Sequence, residues 1–392
     1  MFLKDYIPGV KKKNSKLFFS GITFDSSKVK KNNIFFAIKG NNFDGNKFIP
    51  IVQKKGCRII VSEQKFKKIN EGIIIHTKNV RKLLAEVSFK IYKNRPKNLI
   101  AVTGTNGKSS VSDFYYQILK LNNKKVASIG TLGVKSDSIN LNLSQTTIDP
   151  INLAKILNEL KKRGVRNVIM EASSHGLEQN RLDGLSFSLG IFTNFSQDHL
   201  DYHGNLSNYL KAKLYLFKNL MKINGGIITD EKLLEFNKIK KIATNKNLKL
   251  HKINNNNSFK ILSHSYQGDA QVIKIEHKKS IKIIKLNLIG KIQLKNILMA
   301  IIAAKKSNLE IDKIIKVIPK IKSVNGRFEK IGKIKNNSKV ILDYAHTPDA
   351  LKTCILNLRD QFKDKKISLL FGCGGNRDQD KRSKMGKIAS DY

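Results

Sequence analysis

Short apolar runs separated by turn clusters fill the first 95 residues, at 17–19, 34–38, 58–61 and 73–76. Runs of that length bounded by polar turns predict strands, and the segment reads as a small α/β domain. Asn94-Arg95-Pro96 is a natural linker, because proline restricts the residue before it. The pattern then changes. An apolar run at 98–102 leads into a glycine-rich turn, and a helical period covers 108–121. Further apolar runs at 167–170, 187–192 and 226–228 end in polar clusters, with amphipathic helical patterns at 151–162 and 209–220 between some of them. Strand and helix alternating at this spacing predict a mostly parallel sheet covered by helices. Ligands in such sheets bind at the carboxyl ends of strands, where the polar clusters fall. The Asn-rich stretch 251–258 reads as a surface loop. A third unit starts near Asn325, with strands expected at 338–342 and 367–371, a helix from Pro348 to about Leu358 between them, and a last helix from about Lys381. Two strands and two helices make a small core for an open α/β sheet, so the expectation is a C-terminally truncated chain. The divisions are then 1–95, 96–325 and 326–392.

Composition narrows the class. The chain has 392 residues and 40% hydrophobic content, enough for two or three real cores. No apolar run approaches a membrane span, and the opening MFLKDYIPGV lacks the apolar region of a signal peptide. Three separated cysteines, Cys57, Cys354 and Cys373, show neither disulfide nor zinc spacing and fit a reducing cytoplasm. The net charge of +44 invites a nucleic-acid reading. Yet only ten of the 74 basic residues are arginine, and the lysines are spread along the whole chain. A nucleic-acid surface clusters its charge and favours arginine for bidentate phosphate contacts, so no nucleic-acid partner is expected. The charge still helps attract anionic substrates.

The strongest motif is Thr103-Gly104-Thr105-Asn106-Gly107-Lys108-Ser109-Ser110. It follows a strand and opens a helix, the context a phosphate loop requires. Glycines let backbone N–H groups turn toward phosphate oxygens, and the helix N-terminus adds positive potential. Lys108 is placed for the β/γ-phosphates and the Ser109 hydroxyl for Mg²⁺. Val102 stands where the common pattern has its first glycine. A bare strand-to-helix turn is the alternative, and the adjacent Gly-Lys-Ser favours nucleotide. Glu171, at the end of the 167–170 run, is placed to hold Mg²⁺. Asp198, His199, Asp201 and His203 put two His and two Asp within six residues. That pattern suits a metal cluster and a polar loop equally. Lys213 has Tyr209, Leu216 and Phe217 at i−4, i+3 and i+4, which sets it on an apolar helix face. A buried lysine tends to lose its proton, and the neutral amine adds CO₂ to become an anionic carbamate. The alternative is a stem lying on apolar surface with its head in water, and spacing alone favours it. The loops 343–350 and 372–378 both follow expected strands and suit nucleotide or substrate, although Asn376-Arg377-Asp378 also reads as a turn with a surface ion pair. Cys373 reads as a packing residue, since no base is paired with it.

Taken in order, TGTNGKSS (103–110), EASSHGLEQNR (171–181), TNFSQDHLDYHG (193–204), the Lys213 helix, NGRFE (325–329), DYAHTPDAL (343–351) and GCGGNRDQDKR (372–382) resemble the Mur ligases of peptidoglycan synthesis. DYAHTPDAL and GCGGNRD are most similar to the members that add the third peptide residue, meso-diaminopimelate or L-lysine, to UDP-N-acetylmuramoyl-L-alanyl-D-glutamate. The resemblance implies an α/β, three-domain architecture. A UDP-binding domain comes first, then a central domain with a P-loop-type, mostly parallel sheet, then an incomplete Rossmann-like C-terminal domain. Asp25-Ser26 and the loop holding Asn41 and Asn42 fall where the family contacts uridine and diphosphate. Gln145, Thr146, Thr147, Ser173, Ser174 and Arg181 match positions that hold the muramoyl dipeptide. For ATP, the resemblance implies the loop Gly104, Thr105, Asn106, Gly107, Lys108, Ser109 and Ser110, with Asn296 on adenine and Arg327 and Asp343 on phosphate and ribose. Gln293 departs from an asparagine usual at its position. Ser109 and Glu171 match one Mg²⁺ site, and His199 and a carbamylated Lys213 match a second; Lys108, Lys213 and His199 carry the catalytic roles. The implied reaction forms an acyl phosphate from the substrate carboxylate and ATP, which the incoming amine then attacks. A soluble cytoplasmic monomer is expected. The family motif that recognises the diamino acid is expected beyond Tyr392, so this stretch does not discriminate diaminopimelate from lysine. Other ligases of the superfamily, of the folylpolyglutamate or cyanophycin type, and a non-catalytic fragment are the rival readings.

Overall fold

The computed structural model describes residues 1–40, 43–66, 72–256, 259–373 and 380–392. Two compact units emerge: one from Met1–Pro96, Thr147–Gly164 and His175–Ser186, the other from the remaining segments through Tyr392.

The first unit contains β1 (Gly21–Thr23), β2 (Asn33–Phe36), α1 (Ile49–Lys54), β3 (Ile59–Ser62), β4 (Ile73–His76) and α2 (Val80–Ile91). The strands form a parallel sheet in the order β1-β2-β3-β4. Every side chain of β2 and β3 is buried, as expected for strands covered on both faces. Leu3, Phe19, Ile34, Phe36, Val61, Leu84 and Val87 share one core, and Phe35, Val52, Cys57 and Ile60 share another. The run at 17–19 is no strand; Phe18 makes only an isolated bridge to Phe2. The linker is anchored, since the Arg95 guanidinium donates to the carbonyls of Gly184 at 2.7 Å and Phe89 at 3.0 Å.

The second unit opens with β5 (Asn98–Thr103), α3 (Lys108–Leu121), β6 (Val126–Gly130), β7 (Gly133–Lys135) and β8 (Asn140–Leu141). Then α4 (Pro150–Lys162) belongs to the first unit, where it packs on α2. The chain continues with β9 (Asn167–Glu171), α5 (Ser174–Glu178), β10 (Phe187–Phe192), α6 (Leu200–His203), α7 (Leu206–Asn219), β11 (Met221–Thr229), α8 (Phe236–Asn245) and β12 (Lys249–Lys252). The sheet order is β12-β11-β10-β5-β9-β6-β7-β8, parallel from β12 to β6. Because β5 is flanked by β10 and β9, the chain leaves its carboxyl end at a topological switch point, where α/β sheets place their ligands.

Two expectations fail nearby. The Asn-rich stretch contributes strand residues of β12 and the short β13 (Asn255–Asn256), while 257–258 lie outside the described residues. Beyond it an antiparallel sheet, β13-β14-β15-β16, runs through β14 (Phe259–Gln267), β15 (Ala270–His277) and β16 (Ser280–Leu286). Its strands alternate buried isoleucines with lysines, so one face completes the core and the other meets water. The helix α9 (Lys291–Lys306) packs along α3, apolar against apolar. After α10 (Ile311–Val317) come β17 (Glu329–Lys333), β18 (Lys339–Leu342), α11 (Pro348–Gln361) and α12 (Asp380–Asp391). The strands β17 and β18 pair antiparallel as a hairpin. The strand expected at 367–371 is absent: the segment has no regular structure and Leu370 is 99% exposed. An apolar run becomes a strand only where another strand pairs with it, and among the described residues none pairs with this one. This segment is held to the rest of its unit by Phe328 and Cys354 on Ile289, by Gln361 Oε1 accepting from Gly290 N at 2.8 Å, and by Asn357 Oδ1 accepting from Ile292 N at 2.9 Å.

Candidate functional site

The loop 103–107 joins the carboxyl end of β5 to α3, and its shape is set by neighbours on the 193–196 segment. Asn106 N donates to Asn194 Oδ1 at 2.8 Å, and Thr193 Oγ1 donates to Asn106 O at 2.6 Å. Thr105 N donates to Asn194 O at 3.1 Å. Gly107 has φ +84°, and a Cβ built there would lie 2.6 Å from Asn296 Oδ1. Glycine is therefore required twice, by conformation and by space. A Gly107→Ala variant is expected to lose roughly 1–3 kcal/mol of stability, read as a lower thermal midpoint, together with weakened ATP binding.

Lys108 curls back over this loop, donating to the carbonyls of Gly104 and Thr105 at 2.9 Å each. Burial depresses its ammonium, Glu171 and Asp198 oppose that shift, and Arg327 adds to it. Behind it sits Glu171, 3% exposed at the end of β9. Its carboxylate accepts from Ser109 Oγ at 3.1 Å, Thr131 N at 2.9 Å and Thr131 Oγ1 at 3.2 Å. Burial pushes its pKa up, against Lys108 and these hydrogen bonds. Thr146 Oγ1 lies 3.0 Å from Thr131 Oγ1, which links it to the same group.

Lys213 overturns the expectation from spacing. Its side chain is 1% exposed, so its head is not in water. Its Nζ donates to Gly104 O at 2.8 Å and lies 4.1 Å from the centre of the Tyr209 ring. Burial first, and Lys108 second, hold its pKa well below the ordinary lysine value. The outcome follows from tertiary packing: α7 is pressed against the β5 loop, leaving the stem no path to the surface. Tyr209 is the hub of this cluster. It donates to Thr105 Oγ1 at 3.3 Å, and its ring is 6.2 Å from that of His199 and 5.0 Å from that of His203.

His199 stands in the left-handed region with φ +53°, just before α6. That costs about 1 kcal/mol for a residue with a Cβ and turns its ring beside Asp198, 3.4 Å away. Burial lowers its pKa, opposed by Asp198. His203 is 4% exposed, pairs with Ser174 Oγ at 3.0 Å, and is lowered to about 4 by burial and then by Lys213. The pair His203–Ser174 was not singled out as such from the sequence, because residues 29 positions apart in the chain meet only in the fold.

On the third segment, Asp343 Oδ2 accepts from Phe328 N at 2.9 Å, and burial raises its pKa. The Arg327 guanidinium lies 4.5 Å from the Tyr344 ring centre. Gln293, a departure from the usual asparagine, is 2% exposed. It accepts from Asn296 Nδ2 at 3.0 Å and donates to Arg327 O at 3.3 Å. It thus ties the residue beside Gly107 to the residue whose charge reaches Lys108. Ser110 is buried in the first turn of α3, Ser173 is half-buried and Gln145 is exposed.

In the first unit, a cavity of about 520 Å³ is lined by Thr23, Asp25, Lys28, Asn33, Tyr92 and Asn152, among others. Ser26 adjoins it in sequence, its carbonyl accepting from Lys55 Nζ at 2.9 Å. Arg181 donates to Thr147 O and to Gln179 Oε1. Asn41, Asn42 and the Asn376-Arg377-Asp378 turn lie outside the described residues. Cys373 packs with Met385, as a packing residue does.

Three family models match the chain: the Mur ligase family catalytic domain over residues 19–98, the Mur ligase middle domain over 102–304, and the Mur ligase glutamate ligase domain over 326–392. A relative from Rickettsia montanensis, UDP-N-acetylmuramoyl-L-alanyl-D-glutamate–2,6-diaminopimelate ligase, is 39% identical over 94% of this chain and 77% of its own. The chain belongs to the Mur ligase family. A relative of the same description from Chelativorans sp. (strain BNC1) is 35% identical over 94% of this chain. A solved structure of a UDP-N-acetylmuramoyl-L-alanyl-D-glutamate–2,6-diaminopimelate ligase superposes with a TM-score of 0.79 at 27% identity, covering 100% of this chain and 80% of that one. The residues around the 103–107 loop, namely Glu171, Thr193, Asn194 and Lys213, come from four separate stretches of the middle-domain match.

Proposed function

We propose that this Mur ligase is an ATP-dependent amide-forming enzyme that adds 2,6-diaminopimelate to UDP-N-acetylmuramoyl-L-alanyl-D-glutamate in the cytoplasm. The choice of diamino acid follows the relatives that carry that name. The observation that carries the chemistry is the buried Glu171 carboxylate, hydrogen-bonded to Ser109 where α3 begins, beside a loop that gathers Lys108, Lys213 and Arg327. A triphosphate brings negative charge to that place, and Lys108 and Arg327 offset it.

The donors present fit Mg²⁺, which takes hard oxygen ligands and keeps several of its waters. Glu171, Ser109 and Thr131 offer a carboxylate and two hydroxyls within one hydrogen-bonded group. Among the described residues no group of three or more His, Cys, Asp or Glu forms a metal cluster. Hydroxyls and substrate oxygens therefore have to complete the set. For the second ion we assign His199 and Lys213, the latter as a carbamate. Bound Mg²⁺ supplies charge neutralisation on the transferring phosphoryl group.

The residues then divide the work. Loop N–H groups and Lys108 orient the γ-phosphate toward the substrate carboxylate, whose oxygen forms the new P–O bond as ADP leaves. The amine of the diamino acid attacks the activated carbonyl, loses a proton and expels phosphate. Asn296 and Asp343 are assigned to the nucleoside, Arg327 to phosphate, and Asp25 and Ser26 to the uridine diphosphate. Gln145, Thr146, Thr147, Ser173, Ser174 and Arg181 are assigned to the muramoyl dipeptide, with the three chain segments 1–95, 96–325 and 326–392 as domains. No described helix is long and apolar enough to cross a membrane.

Thermal denaturation separates this reading from a folate-type ligase. Ligand at about a hundred times its Kd stabilises by about 2.7 kcal/mol. UDP-N-acetylmuramoyl-L-alanyl-D-glutamate is expected to raise the midpoint while folate leaves it unchanged; the opposite pattern would overturn the substrate assignment.

A further inference from the structure

A second polar cavity lies in the larger unit at the amino ends of the strands, away from the phosphate loop. It encloses about 200 Å³ and is lined by Asn98 of β5, Ser188 of β10, Asn224 and Gly226 of β11, Lys249 and His251 of β12, and Lys306 and Ser307 at the end of α9. Asn98 begins the strand that ends at Thr103, so the cavity is separated from the phosphate loop by about 17 Å of β5. It is a different place in the fold, and none of the roles assigned above uses its residues.

Its chemistry is one-sided. Lys249, His251 and Lys306 converge on it, and its lining contains neither Asp nor Glu. The side chains of Lys249, Lys306 and His251 make no hydrogen bond or ion pair among the described residues. Burial first, then Lys306 from α9 and Lys249 from its own strand, lower the pKa of the imidazole. Lys306 is in turn lowered by burial and by Lys249 and Lys305. Lysines are spread along the whole chain, and their number alone signifies nothing. Here two of them and a half-buried histidine share one concavity, and such mutual repulsion is relieved by an anion. Hydrogen-bond donors complete the arrangement. Asn224 Oδ1 is occupied by Asn247 Nδ2 at 3.2 Å, which leaves the Asn224 amide N–H groups to donate elsewhere. By contrast Asn98, Ser188, Ser307 and Tyr115 satisfy one another: Ser188 Oγ donates to Asn98 Oδ1 at 2.5 Å, Asn98 Nδ2 to Ser307 Oγ at 2.8 Å, and Tyr115 OH lies 2.7 Å from Ser307 Oγ. They form a rigid neutral floor under a cationic rim.

We propose that this cavity binds a phosphate group, either as free inorganic phosphate or as the terminal phosphoryl group of a small metabolite. The volume admits one such group with its waters and is too small for a nucleotide. Two lysines supply charge, and His251 and the Asn224 amide supply directed donors.

The test follows the His251 ring resonances by NMR in the full chain. Burial and the two lysines lower the imidazole's pKa to about 4. Inorganic phosphate is expected to shift its resonances saturably and to raise its pKa by about one unit or more, because an opposite charge favours the protonated ring. Glycerol phosphate in a parallel arm tells the sources apart: a response to both means that the phosphoryl group is read, and a response to inorganic phosphate alone means the free anion. Sodium chloride at matched ionic strength should leave the resonances in place. The Lys249→Ala/Lys306→Ala double variant should lose the response with an unchanged thermal midpoint, while Lys108→Ala, which alters only the phosphate loop, should retain it. The proposal is overturned if neither phosphate moves His251, if chloride moves it equally, if the double variant responds as the unaltered chain does, or if Lys108→Ala abolishes the response. Should the double variant unfold, Lys306→Gln alone is expected to weaken the response about tenfold, one lost charge-assisted hydrogen bond being worth ~1.5 kcal/mol.

Discussion

Replacing Lys213 by alanine is expected to stop ligation, and short carboxylates such as formate or acetate to restore part of it. The side chain is 1% exposed, its Nζ bonded to Gly104 O at 2.8 Å and set over the Tyr209 ring. Burial and the neighbouring Lys108 hold its pKa well below the ordinary value. A larger share of the amine is therefore neutral at physiological pH than on an exposed lysine. In the function proposed above, that neutral nitrogen forms a bond to the carbon of CO₂ and releases a proton, giving a carbamate with one negative charge. A fixed ammonium at this point would repel a divalent cation; the carbamate attracts it. Rescue distinguishes the chemical role from a structural one, since an added carboxylate replaces oxygen ligands but repacks no helix. Initial rates of ligation, with and without formate, check this. Undiminished turnover by the alanine variant without additives would refute the carbamate.

Lys108→Ala is expected to lower kcat by about a thousandfold, the usual scale for removing a preorganised cationic or hydrogen-bond donor from a developing charge. In the absence of nucleotide the ammonium is spent on the carbonyls of Gly104 and Thr105. Those bonds hold it over the loop, poised to turn to a phosphate oxygen. The loop keeps its other supports from Thr193 and Asn194, so the fold should survive the substitution. ADP release under saturating substrate measures the loss, and circular dichroism checks the fold. Turnover within about tenfold of the unaltered chain, a difference of only ~1.4 kcal/mol in barrier, would remove Lys108 from the chemistry.

Legibility varied with the range of the interactions involved. Apolar runs closed by polar turns located β3, β4, β5, β9 and β10 to within a residue or two, and the period of 108–121 matched α3. The antiparallel sheet of 259–286 went unseen, because alternating isoleucine and lysine in a lysine-rich chain is a weak signal. The run at 367–371 misled for the opposite reason: it has strand composition, but pairs with no strand among the described residues. Gln293 departs from the usual asparagine, and its buried amide joins Asn296 to Arg327 O, a role no spacing in the chain reveals.

From the residue order alone came the phosphate loop, the strand-to-helix context that makes it one, the carboxylate Glu171 closing the apolar run at 167–170, and the ordered motifs that place the chain among the Mur ligases. These are local features, written in spacings of a few residues, and local geometry follows from them. What only the tertiary structure decided is the state of individual groups: that Lys213 is sealed from water, that Glu171 is buried against Ser109, that His203 meets Ser174, and that two lysines and His251 face one another at the far end of the sheet. Burial and charge proximity depend on which distant segments pack together, and no spacing within a single element contains that information.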